Sequence, residues 1–385
     1  MRRSMKNPMK RPLLRTLIAL LLATASLSTV HAEIHFTDIA GRAITLQQPA
    51  KKIILGEGRF LAILGVLGVE QPLDKIAGMM NEFRLYDPAG FQQFKTAYPE
   101  IEDIPTFGQT NESSVSVEKI ILLKPEVAIF GLNGHGPGAR SKHIIDQLTA
   151  VGIKIVFIDF REDPINNTAK SVEIVGKVLG FEASAQRYAE RYRSSIATIQ
   201  QRVATLSTKD YPKVLFDLRA SAKQTCCMSV AKGMFADMAR IAGGTSIADG
   251  LLTGSVGQLS TEHVLSTHFD FYVATSSGSE TQNTEGHYES PVLGAAVSQN
   301  RARQSLTDLI KLRQFTELDA MQAGNAYGLW HHFYNSPLNL YAIEKLATWL
   351  HPALFADLNP EHTLNELLHG FGPIQLEGTY AINLK

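Results

Sequence analysis

The sequence predicts an α/β fold with buried, mostly parallel sheets, arranged as two lobes that one long helix connects. Three observations predict this fold. Apolar strands alternate with amphipathic helices, a long segment without glycine or proline lies near the middle of the chain, and one segment occurs twice. Continuous apolar strands are typical of parallel sheets that are covered on both faces. The length of 385 residues also suits two domains, since about 150 residues form one domain on average.

Short apolar segments predict the strands, and the segments between them predict helices. Ile34–Leu46 reads as two strands around the turn Ala40–Arg42. Further strands are predicted at Lys52–Leu55, Ile76–Met79, Val127–Phe130, Ile153–Ile158, Val214–Leu218 and Phe271–Ala274. Helices are predicted at Phe60–Gly68, Val117–Leu123, Ser141–Ala150 and Met234–Ala242. The chain after Glu289 is predicted to be largely helical.

One long helix is predicted over residues 183–206, which contain neither glycine nor proline. Its apolar residues recur at spacings of three and four, on one face. They are Tyr188, Tyr192, Ile196, Ile199, Val203 and Leu206. An ordinary surface helix has the same pattern. The position near mid-chain favours a rigid connection between an N-terminal lobe (33–182) and a C-terminal lobe (207–385).

A repeat is the strongest internal signal. Ser116–Phe130 aligns without a gap with Ser260–Ala274, and each copy reads as a short helix followed by a strand. Glu118 and Glu262 lie in the first turns of these helices. A first-turn glutamate stabilises the helix dipole, which is one interpretation. The other interpretation is that the two glutamates are matched acidic contacts for a two-fold symmetric partner.

The distribution of charge argues against nucleic-acid binding as the main function. The 37 basic and 37 acidic side chains balance over the full chain. Without residues 1–32 the counts are 31 basic and 37 acidic, a net charge of −6. Binding to a phosphate backbone requires a basic patch. The 44% hydrophobic content excludes a disordered or collagen-like chain.

The N-terminus predicts export. Basic residues precede the apolar run Leu17–Val30, and small residues at Val30 and Ala32 predict cleavage of a signal peptide (1–32) after Ala32. The run of 14 residues is too short for a bilayer, which requires about 20. A buried N-terminal helix is the alternative. We expect a soluble, exported protein.

The two cysteines, Cys226 and Cys227, are adjacent. Three states are open for them in an oxidising compartment: a disulfide between neighbours, two reduced thiols packed in the core, or soft ligands for a metal ion. No Cys-x-x-Cys or Cys/His pattern surrounds them.

Several segments together resemble the periplasmic substrate-binding proteins of ABC importers for ferric siderophores, haem and cobalamin. The resemblance covers nearly the whole mature chain. It is carried by Phe36–Arg42 with Pro49 and Ile53–Ile54, the repeat Ser116–Phe130 and Ser260–Ala274, the mid-chain helix, Asp217–Ala220, Gly233–Gly244 and Trp330–Pro337.

The resemblance implies two Rossmann-like lobes joined by one long α-helix, with a ligand cleft between the lobes. It implies a monomeric binding protein, not an enzyme, that delivers a ferric-siderophore-type iron complex to an inner-membrane ABC importer. A receptor for haem or cobalamin is the alternative within this family. Glu118 and Glu262 would pair with arginines of the permease dimer. The siderophore fills the coordination shell of iron, so that no cofactor and no metal ligand from the protein are required.

The candidate ligand residues follow the carboxyl ends of the predicted strands, where ligands bind in such folds. They are Arg59, Arg84, Tyr86, His135, Arg219, Lys232, Trp330, His331, His332 and Tyr334. Guanidinium and aromatic groups suit a planar, anionic chelate. In a plainer interpretation Arg59 begins a helix, Arg84 is solvated, and Trp330 and Tyr334 are core residues.

An exported nicotinamide-dependent oxidoreductase is the rival from another class. Gly134–Ala139 imitates the dinucleotide fingerprint, and Asp159 stands where the ribose-binding acid is expected. Pro137 argues against it, because proline lacks the N–H that a phosphate needs. A receptor for a free metal ion would need a cluster of histidines and carboxylates that the sequence does not clearly supply.

Overall fold

The computed structural model describes residues 33–277, 282–372, 374 and 377–385. The predicted signal peptide, residues 1–32, lies outside these ranges. None of the helices within them is both long and apolar enough to cross a membrane.

The strands and helices alternate along most of the described chain. The strands are β1 (Ile34–Thr37), β2 (Ala43–Leu46), β3 (Ile53–Leu55), β4 (Ile76–Met79), β5 (Val127–Gly131), β6 (Lys154–Ile158), β7 (Lys213–Asp217), β8 (Met228–Val230), β9 (Thr245–Ser246), β10 (Val256–Gln258), β11 (Phe271–Ser276), β12 (Gly294–Ala295), β13 (Ala326–Trp330), β14 (Gly378–Thr379) and β15 (Ala381–Asn383). The α-helices are α1 (Leu61–Val66), α2 (Glu82–Tyr86), α3 (Pro88–Ala97), α4 (Val117–Leu123), α5 (Lys142–Ala150), α6 (Pro164–Leu179), α7 (Glu182–Val203), α8 (Met234–Ile241), α9 (Thr261–Ser266), α10 (Gln299–Leu312), α11 (Asp319–Gln322), α12 (Asn339–Leu350) and α13 (Pro360–Leu368).

A parallel sheet forms the centre of each lobe. In the N-terminal lobe the strand order is β4-β3-β5-β6, and all neighbouring strands are parallel. In the C-terminal lobe the order is β15-β13-β11-β7-β9, with β15 antiparallel to its neighbour. Ile53, Ile54 and Leu55 of β3 are all fully buried, as expected for a strand that is covered on both faces. The predicted α/β fold class with parallel sheets is confirmed.

The sequence repeat corresponds to one helix–strand unit in each lobe. Helix α4 begins directly after Ser116, and α9 begins directly after Ser260. The strands that follow, β5 and β11, begin at Val127 and Phe271, so that equivalent positions lie 144 residues apart throughout the unit. Both strands lie inside their sheets with parallel neighbours on either side. The unit therefore occupies the same topological place in both lobes.

The long helix α7 contacts both lobes. It packs against α1 and α6 on the N-terminal side and against α8 and α12 on the C-terminal side. The Tyr188 hydroxyl donates a hydrogen bond to the carbonyl oxygen of Pro337 at 2.6 Å, and the Tyr192 hydroxyl donates to that of Pro164 at 3.2 Å. These two side chains tie the helix to a segment from each lobe.

Two expectations about helices need correction. Helix α7 ends at Val203, and Leu206 lies beyond it in a turn, only partly buried. The chain after Glu289 is not as uniformly helical as expected, because Ala326–Trp330 forms strand β13 between β11 and β15. This five-residue segment is too short to show a period, and its pairing with two neighbouring strands decides its structure.

The hairpin of β1 and β2 is held to the N-terminal sheet by one buried carboxylate. Asp38 accepts hydrogen bonds from the backbone N–H of Arg42 at 2.9 Å and from that of Phe157 at 3.1 Å. The guanidinium of Arg42 pairs with the same carboxylate at 2.7 Å. Phe157 belongs to β6, so that Asp38 joins the hairpin to the edge of the sheet.

Asp38→Ala in the mature chain should lower the free energy of unfolding by about 2–4 kcal/mol, because two backbone N–H groups and a guanidinium lose their acceptor. Urea unfolding followed by circular dichroism measures the loss. The control is Asp146→Ala, which removes an exposed partner of Lys142 and should cost less than about 1 kcal/mol. Equal losses in the two variants would contradict the anchoring role of Asp38.

Candidate functional site

The candidate site lies where the carboxyl ends of strands from both lobes meet. Helix α2 after β4, the turn after β5 and the loop after β6 come from the N-terminal lobe. The loop after β7 and the 3-10 turn His331–Asn335 after β13 come from the C-terminal lobe. These segments enclose a cavity with about 620 Å³ of empty space, part of it open to solvent.

The cavity brings together six of the ten predicted ligand residues with six that the prediction missed. The predicted residues that line it are Tyr86, His135, Arg219, His331, His332 and Tyr334. The missed residues are Arg161, Leu218, Met228, Met234, Val256 and Ser277. Arg161 follows the carboxyl end of β6, the one strand of the N-terminal sheet whose following loop contributed no residue to the prediction. The rule that found the other residues would therefore have found Arg161.

Four predicted ligand residues do not line this cavity. Arg84 is exposed and lies over the ring of Phe91, with its guanidinium carbon 4.6 Å from the ring centre. Lys232 is exposed and lies outside the lining. Trp330, the last residue of β13, lines a neighbouring, mainly apolar cavity. Arg59 lines that second cavity as well.

Arg59 is buried in a network of charges behind the cleft. Its guanidinium pairs with Glu57 at 2.9 Å, and its backbone N–H donates to Glu82 at 3.1 Å. Burial raises the pKa of Glu82 to about 7, although the positive charge of Arg59 opposes the shift. The guanidinium also contacts Nδ1 of His332. Arg59 therefore acts inside the protein, where it compensates buried carboxylates.

Direct polar contacts join the two lobes at this place. The side-chain amide of Asn335 donates to Glu57 Oε2 at 2.9 Å. The backbone N–H of Met234 donates to the carbonyl oxygen of Arg161 at 2.8 Å. Tyr334 and His135 also meet across the cleft, with 3.1 Å between the hydroxyl and Nε2. The lobes are thus in contact behind the cavity as well as along α7.

The surroundings of the three histidines of the cavity favour their neutral form. Burial lowers the pKa of His135, and it lowers those of His331 and His332 far below the ordinary value, with nearby arginines adding to the effect on all three. His332 Nε2 lies 3.2 Å from the carbonyl oxygen of Tyr86 and must donate to it, so that Nδ1 accepts from Arg59. The same argument applies to His135, whose Nδ1 donates to a carbonyl oxygen at 3.2 Å. Its Nε2 therefore accepts the hydroxyl proton of Tyr334.

The charges that face the cavity are positive. The guanidinium groups of Arg161 and Arg219 line it, and none of its described lining residues is acidic. Arg161 lies over the ring of Tyr334, with its guanidinium carbon 5.5 Å from the ring centre. Two cationic groups, two tyrosines and several apolar side chains have the chemistry that suits an anion with an extended, partly aromatic surface.

The loop that imitates a dinucleotide fingerprint is already occupied by a carboxylate. Glu57 Oε1 accepts the backbone N–H of His135 at 3.0 Å, and a Cβ on Gly134 would lie 2.0 Å from the same oxygen. Asp159 is buried and accepts hydrogen bonds from the backbone N–H groups of residues 161–163 at 2.8–2.9 Å. The carboxylate of Asp159 is thus engaged by the loop that precedes α6, and it is not free to bind a ribose. The glycines allow Glu57 to approach the loop. Neither the glycine loop nor Asp159 therefore supports the oxidoreductase hypothesis.

The adjacent cysteines form a disulfide, the first of the three states that the sequence left open. Both are buried, in the loop between β7 and β8. An oxygen of Asp217 lies within 4.8 Å of both sulfur atoms, but Asp217 pairs with Arg313 at 3.2 Å and accepts the hydroxyl proton of Tyr272 at 2.9 Å. The sulfur atoms and the carboxylate thus have partners within the protein.

Glu118 and Glu262 are exposed in the first turns of α4 and α9. The preceding serines cap these helices, each accepting the backbone N–H three residues on, at 3.2 and 3.1 Å. A helix that leads into a parallel strand runs antiparallel to it and begins at the carboxyl edge of the sheet. By this topology the two glutamates lie on the same side of their sheets as the cavity.

Comparison with known proteins identifies similar chains. A family model described as periplasmic binding protein matches residues 74–329. The solved structure of the TroA-like periplasmic binding protein FepB from Veillonella parvula is 23% identical, with a TM-score of 0.78 and coverage of 91% of this chain and 100% of that one. The molybdate-bound MolA from Haemophilus influenzae is 15% identical, with a TM-score of 0.66 and coverage of 89% and 99%.

One curated relative is an uncharacterised ABC transporter substrate-binding lipoprotein, YvrC, from Bacillus subtilis strain 168. It is 26% identical over 180 residues, which are 46% of this chain and 50% of that protein. The match thus spans half the length of the relative. The similarity to the solved structures supports the fold.

As the pH rises from about 5 to about 8, the Glu82→Gln variant should lose less folding stability than the wild type. The pKa of Glu82 in the folded chain is about 7, above its ordinary value of 4.5, so that the folded state keeps a proton that the unfolded state releases. This contribution is fully present below the unfolded pKa and is lost as the pH rises through about 7. The amide of glutamine does not titrate, so the Glu82→Gln variant lacks this pH-dependent contribution.

Thermal unfolding of the wild type and Glu82→Gln across this pH range measures the difference in slope. Glu112→Gln is the matched control, because Glu112 is exposed, and it should follow the wild type. Parallel curves for all three proteins would show that Glu82 does not bind a proton on folding.

Proposed function

The chain belongs to the periplasmic binding protein family, and we propose that it captures an anionic ferric-siderophore-type iron complex in the periplasm and delivers it to an inner-membrane ABC importer. Members of this family bind a solute and work with a membrane permease. The observation that carries the cargo assignment is the cavity between the lobes, where two guanidinium groups face open space without an acidic neighbour in the described lining.

The charge of the cavity supports an anionic cargo. Arg161 and Arg219 have the planar donor geometry that carboxylate and catecholate oxygens require. Buried acids would cancel this potential if they faced the cavity, but Glu57 and Glu82 lie behind it and are held by Arg59. A cation without ligands of its own would meet two positive groups on entry.

The histidines support a chelate over a bare ion. Both ring nitrogens of His135 and of His332 are engaged in hydrogen bonds within the protein. His331 Nδ1 lies 2.9 Å from the hydroxyl of Thr275. A metal ion bound by the protein would have to break these contacts, whereas a siderophore supplies all the ligands of its iron. The protein then recognises the outside of the chelate.

Arg161→Ala combined with Arg219→Ala should weaken binding of ferric siderophores about 100-fold or more, because each charge-assisted hydrogen bond contributes about 1.5–3 kcal/mol. Titration followed by tryptophan fluorescence measures the affinity, since the ring of Trp330 lies 5.1 Å from that of His332 at the cavity wall. Arg84→Ala removes an exposed arginine that does not line the cavity and should bind as the wild type does.

The titration panel contains a ferric catecholate, a ferric hydroxamate, haem, cobalamin and molybdate. Saturable binding of a ferric siderophore that depends on both arginines supports the proposal. A response to haem or cobalamin alone would reassign the cargo within the same family. A response to molybdate alone would make the site one for a small oxyanion.

Delivery would use the two exposed glutamates. Glu118 and Glu262 occupy the same position of a unit that is repeated in each lobe, and α7 with the contacts across the cleft holds the lobes together. Two equivalent acids on one rigid body suit a permease dimer that presents one cationic site in each half. The predicted signal peptide supports export, and a monomer is sufficient for this role.

Glu118→Arg combined with Glu262→Arg should reduce uptake of the cargo into cells more than tenfold and leave cargo affinity unchanged, since a like charge meets each cationic site and the cavity is untouched. Uptake is measured with labelled cargo in cells that lack the wild-type gene. Glu112→Arg, a charge reversal at another exposed glutamate, should transport normally. Normal uptake by the double variant would rule out docking through these residues.

A further inference from the structure

Two large hydrophobic side chains are exposed on the repeated helices themselves. The described residues of this kind are Leu85, Leu122, Val151, Leu251 and Leu265. Leu122 lies on α4 and is 77% exposed, and Leu265 lies on α9 and is 53% exposed. A single exposed leucine needs no explanation. Exposure of one leucine on each of two short, repeat-related helices is a pattern that the stability of either lobe does not require.

Each of these leucines is the neighbour of a glutamate on the helix surface. Leu122 follows Glu118 by four residues, and Leu265 follows Glu262 by three. Residues at these two spacings lie side by side on a helix, with Cβ atoms about 5–6 Å apart. The acid and the leucine thus form one exposed patch of similar composition on each lobe.

The buried side of each helix fixes the direction in which the patch points. Ile120 and Val264 occupy equivalent positions of the repeat, and both are fully buried. With these residues in the core, the glutamate and the leucine remain on the solvent side of both helices. The leucines do not occupy equivalent positions, since Leu265 aligns with Ile121, which is half-buried. What the two lobes share is the combination of an acid and an adjacent apolar side chain.

We propose that Leu122 and Leu265 form the apolar part of two docking contacts, one on each lobe, with the two halves of the permease. This inference rests on the proposed function. The partner that fits has two sites, each with a cationic group for the glutamate and an apolar pocket beside it for the leucine. Burial of the leucine removes water from the neighbouring ion pair, which strengthens an attraction that is weak when it is exposed.

Leu122→Ser combined with Leu265→Ser should weaken binding to the permease–ATPase complex about 100-fold, because each buried leucine contributes about as much as a tenfold change in Kd. The probe is the importer complex that binds the wild-type protein, reconstituted in lipid nanodiscs, and the Kd is measured by biolayer interferometry. Cargo affinity should not change. Each single variant should show part of the loss.

Leu85→Ser combined with Leu251→Ser is the matched control, since these leucines are 50% and 53% exposed and lie outside α4 and α9. It should bind the complex as the wild type does. If the charge-reversed glutamate variant fails to bind while Leu122→Ser/Leu265→Ser binds normally, the leucines have no docking role and the proposed docking still stands. If neither variant loses affinity, the docking hypothesis itself is wrong.

The oligomeric state gives a further outcome. If light scattering shows that the wild type forms a dimer which Leu122→Ser/Leu265→Ser dissociates, the leucines bind a second copy of this chain. That result would overturn the inference. A monomer in both cases, together with the loss of affinity for the importer complex, supports it.

Discussion

The buried carboxylate of Glu57 is the interaction on which the arrangement of the site depends. It accepts hydrogen bonds from Arg59, from the side-chain amide of Asn335 and from the backbone N–H of His135. These donors come from three separate segments, one of them in the other lobe. A buried carboxylate without partners would cost several kcal/mol. Its burial therefore requires that the turn after β3, the glycine loop after β5 and the turn after β13 come together.

The pairing of Arg59 with the buried acids determines the sign of the charge in the cavity. Arg59 compensates Glu57 and Glu82, so that neither these acids nor this arginine faces the open space. Arg161 and Arg219 remain as the charged groups of the described lining. The cavity is therefore positive although residues 33–385 carry a net charge of −6. Local pairing, and not overall composition, determines the charge of the cavity.

The elements that the sequence predicted well are those with a local pattern. The strands, the long helix and the repeat follow from periodicity and capping, and the repeat placed Glu118 and Glu262 on equivalent helices. The positions of the site's side chains were predicted less well from the sequence, because the direction of each side chain depends on tertiary contacts. Arg59 follows a strand as expected, but its guanidinium is buried because it pairs with the buried acids Glu57 and Glu82. Trp330 was expected in the cleft, but it ends a strand whose pairing partners are distant in sequence and lines a neighbouring cavity.

The contacts across the cleft are strong enough to define one arrangement of the lobes and weak enough to be broken. Each hydrogen bond between the lobes contributes about 0.5–1.5 kcal/mol net. The bonds of Asn335 and of Tyr334 must break if the lobes separate at the cavity, together with those of Met234 and His332. An opening that costs only a few kcal/mol is populated at about 0.1–10%. Helix α7 packs against helices of both lobes and would keep them connected in such a motion.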